Sequence, residues 1–261
     1  MKKMNFVVDF IQNPFLEVVL VIFLTSVVQS LFGVGILLIG TPTLMFIGYP
    51  YFEALGYLLP TSLVISLIQI LELKGRFSVA FLKEIIIYTI PLIPFGMFLA
   101  NRADKFMGVF VGIFLITISI GKFYSKLTTL FVFNKIPKFF NRQLGLMGLG
   151  FLHGLTNLGG AILPAFNNTE GLDKNIKLAN ISVTYIVFVT SQLIYMFLFS
   201  PEIFDGIGLI LSACVFTGVL GNRLIGKNIY NRIHADRYTV LMKIYVFIIG
   251  VFLVIKNLLM E

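Results

Sequence analysis

Long apolar runs, separated by short polar clusters, organise the chain. A helix that crosses the hydrocarbon core needs about 20 mostly apolar residues, so these runs predict an all-α, polytopic integral membrane protein with about eight transmembrane helices. The first run follows Lys2 and Lys3; it is too long for a removable signal peptide and lacks a small-residue cleavage site, which makes it the first span. The predicted spans cover approximately residues 15–39, 55–73, 79–100, 106–121, 143–166, 178–199, 206–226 and 238–258.

Two of these runs carry a cluster of glycines followed by a proline. Gly33, Gly35 and Pro42 fall in or just after the first, and Gly159–Gly160 and Pro164 fall in the fifth. Glycine disfavours a helix entropically and proline removes a backbone donor, so both helices are predicted to be broken. In transporters, broken helices mark the binding site, because irregular backbone at membrane depth must be satisfied by protein or by a water-filled cavity. The alternative is that the glycines only allow close helix packing.

The breakers belong to a set of landmarks that recurs along the chain. This predicts a tandem duplication, with a first four-helix repeat at 1–121, a basic linker at 122–142 and a second four-helix repeat at 143–261. The linker is predicted to lie along the lipid headgroups, with partner binding as the alternative. An even number of spans per repeat predicts parallel halves, with Arg102 and Arg223 on the same face, provided that neither broken segment alters the number of crossings. The pairs, 120 to 122 positions apart, are Gly33 with Gly154, Pro42 with Pro164, Ser62 with Ser182, Gly96 with Gly218, and Asn101–Arg102 with Asn222–Arg223.

Composition supports the membrane assignment. Apolar residues make up 58% of the 261 and charged residues 12%, whereas a soluble domain carries about 25% charged residues. The net charge of +8 is scattered through short loops, which favours contact with anionic membrane lipid over nucleic acid. Cys214 is the single cysteine and is interpreted as a small packing residue.

The polar residues inside the predicted spans are neutral. Carboxylates fall at span ends or in loops, which disfavours a metal or sodium site. Backbone amides at half-helix N-termini, together with hydroxyl and amide side chains, suit an oxyanion. In the alternative, hydroxyls bond to carbonyls of their own helix and amides pair between helices. The candidate substrate-binding residues are Gly33, Gly35, Pro42, Thr61, Ser62, His153, Asn157, Gly159, Gly160, Pro164, Asn180 and Ser182, with Thr156, Thr184 and Gln192 as further neutral polar groups.

His153 is the only histidine predicted inside a span. An imidazole there can help to neutralise an anion or couple its movement to a proton, and a hydrogen-bonded core histidine is the alternative. The sequence has no Gly-x-Ser-x-Gly elbow, no phosphate-binding Gly-x-x-x-x-Gly-Lys and no paired carboxylates within one span. These absences argue against an enzyme, and no ATP or redox cofactor is expected.

The glycine and proline landmarks also resemble a known family. The segment Leu31-Phe-Gly-Val-Gly-Ile-Leu-Leu-Ile-Gly-Thr-Pro42, together with Gly154, Gly159–Gly160 and Pro164 and the following Lys177-Leu-Ala-Asn-Ile-Ser182, is similar to the TauE/SafE sulfite exporter family, also called the TSUP or DUF81 family. The resemblance implies two related halves and the transport of sulfite, thiosulfate or sulfonates across a prokaryotic inner or plasma membrane.

The function hypothesis is therefore secondary transport of a small sulfur-containing anion, bound where the two repeats meet. A proton or a sodium ion is the candidate coupling ion, and the pattern does not fix an oligomeric state. Two alternatives stay open: an anion channel or sulfur-delivery subunit that feeds a partner enzyme, and a membrane scaffold without transport. Uptake driven by an ion gradient would distinguish a transporter from a channel.

Overall fold

The computed structural model describes residues 14–120, 138–167, 173–226 and 235–259, which form helices joined by short turns and contain no strand. Most of the predicted linker, 122–137, lies outside these residues, and its last five residues belong to the seventh helix instead. Short π or 3-10 turns cover Ile36–Gly40, Asp104–Phe106, Gly159–Ala161, Pro201–Phe204 and Gly221–Gly226. The α-helices are α1 (Pro14–Phe32), α2 (Thr41–Ile47), α3 (Tyr51–Glu72), α4 (Val79–Thr89), α5 (Leu92–Arg102), α6 (Met107–Ser119), α7 (Lys138–Thr156), α8 (Leu163–Phe166), α9 (Lys174–Phe199), α10 (Gly208–Leu220) and α11 (Ala235–Leu259).

Among the described residues, three helical stretches are long and apolar enough to cross a membrane: Tyr51–Glu72, Asn175–Phe199 and Gly208–Gly226. Helices α4 and α5 make a fourth if they are taken as one span, bent by 43° at the break between them, where Pro91 removes a backbone donor. Shorter apolar helices occupy the predicted first, fourth and eighth spans. Large apolar side chains point outward along the bundle, among them Ile87, Phe197 and Leu209. The all-helical membrane architecture is thus confirmed, and the count of eight full spans is not.

One end of the bundle carries a cluster of carboxylates. Glu53 at the start of α3, Asp104 after α5, and Glu202 and Asp205 after α9 line one cleft of about 440 Å³. We call this the acidic end. Three helix termini that are distant in sequence therefore lie on the same side of the protein.

The opposite end is held by polar contacts between other helix termini. Arg142 of α7 forms an ion pair with Glu84 of α4, with 2.9 Å between Nη2 and Oε2. Arg223, after α10, lies 3.9 Å from the Glu72 carboxylate at the end of α3. We call this the basic end, because it carries Lys74, Arg76, Lys83, Arg142, Lys177 and Arg223.

The first broken segment turns back to the end at which it starts. Helix α1 runs parallel to α10 toward the basic end, since Gly218 lies against Ile22, and Gly226 lies against Ser30. After the break the chain returns along α2, and the Tyr49 ring beyond it packs edge-on against Tyr57 of α3 at the acidic end.

The second broken segment, α7–α8, starts at the basic end and also turns back to the end at which it starts. Helix α7 starts at the basic end beside Glu84. The guanidinium of Arg142 in its second turn also donates to the carbonyl oxygen of Phe166, the last residue of α8, at 3.2 Å. Asn167 then donates to the carbonyl oxygen of Lys177 at 2.7 Å. The segment α7–α8 is therefore a re-entrant hairpin that opens toward the basic end.

These two reversals change the topology. In the described residues α3, α4–α5, α6, α9, α10 and α11 run from one end to the other, while α1–α2 and α7–α8 start and finish at one end. The first half therefore starts at the acidic end and the second at the basic end. The expectation of parallel halves is wrong, and so is the same-face placement of Arg102 and Arg223, because each broken segment turns at its glycines instead of completing a crossing.

Helix pairs from the two halves form the core. Helix α3 packs on α9, α1 on α10, α5 on α7, and α6 on α11. Glycines set the closest approaches: a Cβ atom added to Gly112 of α6 would lie 2.8 Å from the carbonyl oxygen of Gly250 in α11. Small residues that let backbones approach closely are typical of helix packing in membranes.

Candidate functional site

The two breaks meet deep inside the bundle. Asn157, the first residue after α7, donates from Nδ2 to Oγ1 of Thr41, the first residue of α2, at 2.8 Å. Both side chains are completely buried. Asn157 has a φ of 61°, in the left-handed region that asparagine adopts more readily than most residues. One hydrogen bond thus connects the break of the first half to the break of the second.

A chain of hydrogen bonds extends from this contact into α9. The Oδ1 atom of Asn157 accepts from Nε2 of Gln192 at 3.2 Å. Oε1 of the same glutamine lies 3.1 Å from Nε2 of His153. The imidazole is packed against the ring of Phe188, with 4.4 Å between ring centroids. Gln192 therefore fixes the orientation of Asn157 and His153 together.

Two polar atoms beside the second break have no hydrogen-bond partner in the described part of the chain: Nδ1 of His153 and Oη of Tyr185, both buried. A Cβ atom at Gly159 would lie 3.0 Å from His153 Nδ1, and one at Gly160 would overlap Tyr185 Oη. The glycine pair thus lets both polar side chains lie against the backbone of the break. Buried polar groups in proteins are usually hydrogen bonded, so these two atoms at one glycine pair are available to a bound ligand or a water molecule.

The first break is satisfied by a glutamine of α1. Gln29 Oε1 accepts from the backbone N–H of Ile36 at 3.2 Å, a donor that the break frees. Gln29 Nε2 donates to Ser66 Oγ of α3 at 3.3 Å. Gln69 of α3 then donates to the Gln29 carbonyl oxygen at 3.0 Å and accepts from Ser182 of α9 at 3.0 Å. The first break is therefore tied to α3 and α9 by uncharged side chains.

The arrangement can be compared with known families. Residues 18–253 of the 261 match the profile of the sulfite exporter TauE/SafE family. The chain therefore belongs to this family. The resemblance seen in the glycine and proline landmarks is confirmed, and the family is one of membrane transporters. No match to the chain was found among curated proteins or among solved structures.

Most of the predicted binding residues of this TauE/SafE chain lie at one of the two breaks. Gly33, with a φ of 71°, packs against Ile181 of α9, and a Cβ atom at Gly35 would strike the backbone of Gln29. Pro42 and Pro164 are the second residues of α2 and α8, where a proline costs no helix hydrogen bond. The predicted residues at the first break are Gly33, Gly35, Pro42, Ser62 and Ser182, and those at the second are His153, Asn157, Gly159, Gly160 and Pro164.

Two predicted residues lie elsewhere. Asn180 is at the basic end, where its Oδ1 accepts from the backbone N–H of Ser78 at 2.7 Å and its Nδ2 donates to Asn167 Oδ1 at 2.8 Å. These contacts make it an anchor for the segment between α8 and α9. The methyl group of Thr61 faces Gly218 of α10, and its hydroxyl has no partner within the described residues.

Several residues of the two breaks were missed by the sequence prediction: Gln29, Thr41, Ser66, Gln69 and Tyr185. The two glutamines carried a usable signal, since each is an amide inside an apolar run. The hydroxyls did not, because serine and threonine in membrane helices often bond to their own helix, as Thr184 does to the carbonyl oxygen of Asn180 at 2.8 Å.

Two cavities lined by described residues lie away from the breaks. Besides the acidic-end cleft, a groove of about 500 Å³ runs between the α4–α5 bend and α9, lined by apolar side chains such as Ile90 and Ile194. In the described parts of the chain, no group of three or more His, Cys, Asp or Glu residues could hold a metal ion.

Proposed function

We propose that this TauE/SafE protein is a secondary transporter of a small sulfur-containing anion, bound between the two breaks. The observation that carries the proposal is the pair of unsatisfied polar atoms, His153 Nδ1 and Tyr185 Oη, at Gly159–Gly160. They lie beside the Asn157–Thr41 hydrogen bond that joins the breaks. An oxyanion of sulfur offers acceptor oxygens to the Tyr185 hydroxyl and to amides freed at helix ends. The neutral His153 ring donates from Nε2 to Gln192 Oε1, so its Nδ1 accepts a hydrogen bond, such as one from a protonated oxyanion. Membership of a family of sulfite exporters supports the same substrate class.

The proposal includes two four-segment repeats in inverted orientation, the first up to about residue 121 and the second beginning with α7. The repeat-related glycines support it. A Cβ atom at Gly96 of α5 would lie 2.5 Å from the Phe151 carbonyl oxygen in α7, and one at Gly218 of α10 would overlap Thr61 Cγ2 of α3 and lie 3.4 Å from Ile22 of α1. Each half thus packs a glycine closely on the other half. Inverted repeats around a central site suit alternating access.

We further propose that the protein resides in the cell membrane with its basic end in the cytoplasm. Cytoplasmic loops carry an excess of lysine and arginine. Six described basic side chains lie at the basic end and two at the acidic end. Parallel halves would have spread these charges nearly evenly over both faces, whereas inverted halves concentrate them on one. Those at the basic end are Lys74, Arg76, Lys83, Arg142, Lys177 and Arg223, and those at the acidic end are Arg102 and Lys256.

Uptake into proteoliposomes tests the function. Sulfite, thiosulfate, methanesulfonate and sulfate are offered with and without an imposed proton or sodium gradient. We expect saturable, gradient-driven uptake of at least one sulfur anion. The variant Asn157→Leu should abolish it, because leucine cannot form the hydrogen bonds to Thr41 and Gln192. Thr190→Leu, on the exposed side of α9, is the matched control.

Each outcome has a defined meaning. Normal saturable uptake by Asn157→Leu would contradict an anion-binding site between the two breaks. Uptake that is insensitive to every gradient would favour the channel alternative. The absence of uptake for all four anions in the unmodified protein would overturn the transport function.

A further inference from the structure

The polar groups around the two breaks are uncharged. Gln29 and Ser66 satisfy the first break, and Asn157, Gln192 and Tyr185 surround the second. All of these side chains are completely or almost completely buried. A ligand held here is therefore met by neutral hydrogen-bonding groups, with His153 as the ionisable imidazole among them.

The charged side chains on the surrounding elements lie toward the ends of the bundle. Tyr185 is the titratable side chain that faces His153 from α9, with 6.1 Å between ring centroids. On the helices packed against α7, Glu84 lies at the start of the α4–α5 span and Arg102 at its end. The other described charged residues on these elements also lie toward helix ends, and they include Glu17, Glu53, Glu72, Lys83, Arg142, Lys177, Arg223 and Lys256.

The charge of the ligand decides whether such a site can hold it. The cost of moving an ion out of water rises with the square of its charge, so a dianion pays about four times as much as a monoanion of similar size. A few neutral donors can compensate one buried charge through charge-assisted hydrogen bonds. A second charge in the same volume calls for a cationic partner.

We infer that the transported species carries a single negative charge, as hydrogensulfite and the sulfonates do, and that sulfate, thiosulfate and fully ionised sulfite are rejected. This inference rests on the proposed function and narrows its substrate class. It also assigns the proton that accompanies sulfite to the substrate itself and not to a side chain of the protein.

The test compares two anions as the internal and external pH are raised together through the second ionisation of sulfurous acid, so that any imposed proton gradient stays constant. Methanesulfonate keeps one charge throughout and serves as the matched substrate. We expect uptake of total sulfite to fall by about tenfold for each pH unit above that ionisation, while methanesulfonate uptake stays constant. Sulfate and thiosulfate uptake should be lower than methanesulfonate uptake by at least about tenfold, equivalent to about 1.4 kcal/mol.

The variant His153→Gln tests whether the proton that accompanies sulfite is carried by the substrate or by the imidazole. If the proton travels on the substrate, the variant keeps the steep pH dependence of sulfite uptake, even if its overall rate changes. Loss of that dependence would place the proton on the imidazole, next to a dianion, and would overturn the inference.

The remaining outcomes separate this inference from the function on which it rests. Sulfate uptake equal to methanesulfonate uptake would overturn the single-charge inference and leave anion transport intact. Methanesulfonate uptake that falls in parallel with sulfite would show that pH acts on the protein, which also overturns the inference. If none of the four anions enters the vesicles, the proposed function fails and the inference fails with it.

Discussion

The hydrogen bond between Asn157 and Thr41 predicts an energetic coupling between the two halves of the protein. A double-mutant cycle with Thr41→Val, Asn157→Ala and the combined variant measures it. Valine keeps the shape of threonine but removes the hydroxyl, and alanine removes both polar atoms of the asparagine amide. Both positions are completely buried, so the loss of a partner is not compensated by bulk water.

The contacts give the expected magnitudes. Thr41→Val leaves Asn157 Nδ2 without its acceptor, which should cost about 1–3 kcal/mol. Asn157→Ala leaves both Thr41 Oγ1 and Gln192 Nε2 unpaired, which should lower the free energy of unfolding by about 2–6 kcal/mol. It also places alanine at a φ of 61°, for about 1 kcal/mol more. The combined variant loses the shared hydrogen bond only once. Its destabilisation should therefore be smaller than the sum of the destabilisations of the two single variants by about 1 kcal/mol.

The assay is the free energy of unfolding of the detergent-solubilised protein, measured by denaturant titration of all four proteins. Asn157→Gly should be more stable than Asn157→Ala by about 1 kcal/mol, because glycine accepts the left-handed backbone at this position. Thr117→Val is the matched control, since this exposed hydroxyl bonds only to the Ile113 carbonyl oxygen of its own helix. The coupling energy between Thr41→Val and Asn157→Ala is compared with that between Thr117→Val and Asn157→Ala. If the first is no larger than the second, the hydrogen bond between the breaks is refuted.

Two further predictions concern topology and the glycine pair. Single cysteines at Ala103 and Ala235, in a Cys214→Ser background, should be labelled by an impermeant reagent from opposite sides of sealed vesicles, because the halves are inverted; labelling from the same side would restore parallel halves. Gly160→Ala should lower anion uptake by at least about tenfold, since the added methyl overlaps Tyr185 Oη. Gly208→Ala should leave uptake unchanged, because a Cβ atom there meets nothing within 4 Å, and equal uptake by both variants would show that Gly160 imposes no steric requirement on the site.

The breaks themselves could be predicted because their cause is local. Gly33 and Gly35 before Pro42, and Gly159–Gly160 before Pro164, disfavour helix wherever they occur in a chain. The structure ends α1 at Phe32, directly before Gly33, and α7 at Thr156, three positions before Gly159. His153 and Asn157 were found for a similar reason, as rare polar residues in an apolar run.

The direction of the chain after each break could not be predicted, because its cause is tertiary. Whether the chain continues or turns back depends on contacts such as that of Arg142 with the Phe166 carbonyl oxygen, which no local pattern encodes. Two such reversals were enough to convert the expected parallel halves into inverted ones. Tyr185 escaped the prediction because a tyrosine in a membrane helix is ordinarily a packing residue, and its role depends on Gly160 lying opposite it.

The packing of α1 against the second half has a consequence for synthesis. Ser26 and Ser30 of α1 lie against Gly221 and Gly226, and Ser26 and Gly221 are 195 positions apart in the chain. At about 5–20 residues per second, a ribosome needs about 10–40 s to make the intervening chain. During that interval α1 is present without the turn after α10 that covers its serines. The nascent first half must therefore be held by the insertion machinery or by lipid until the second half arrives, and mutations that weaken α10 should expose α1 to membrane quality-control proteases.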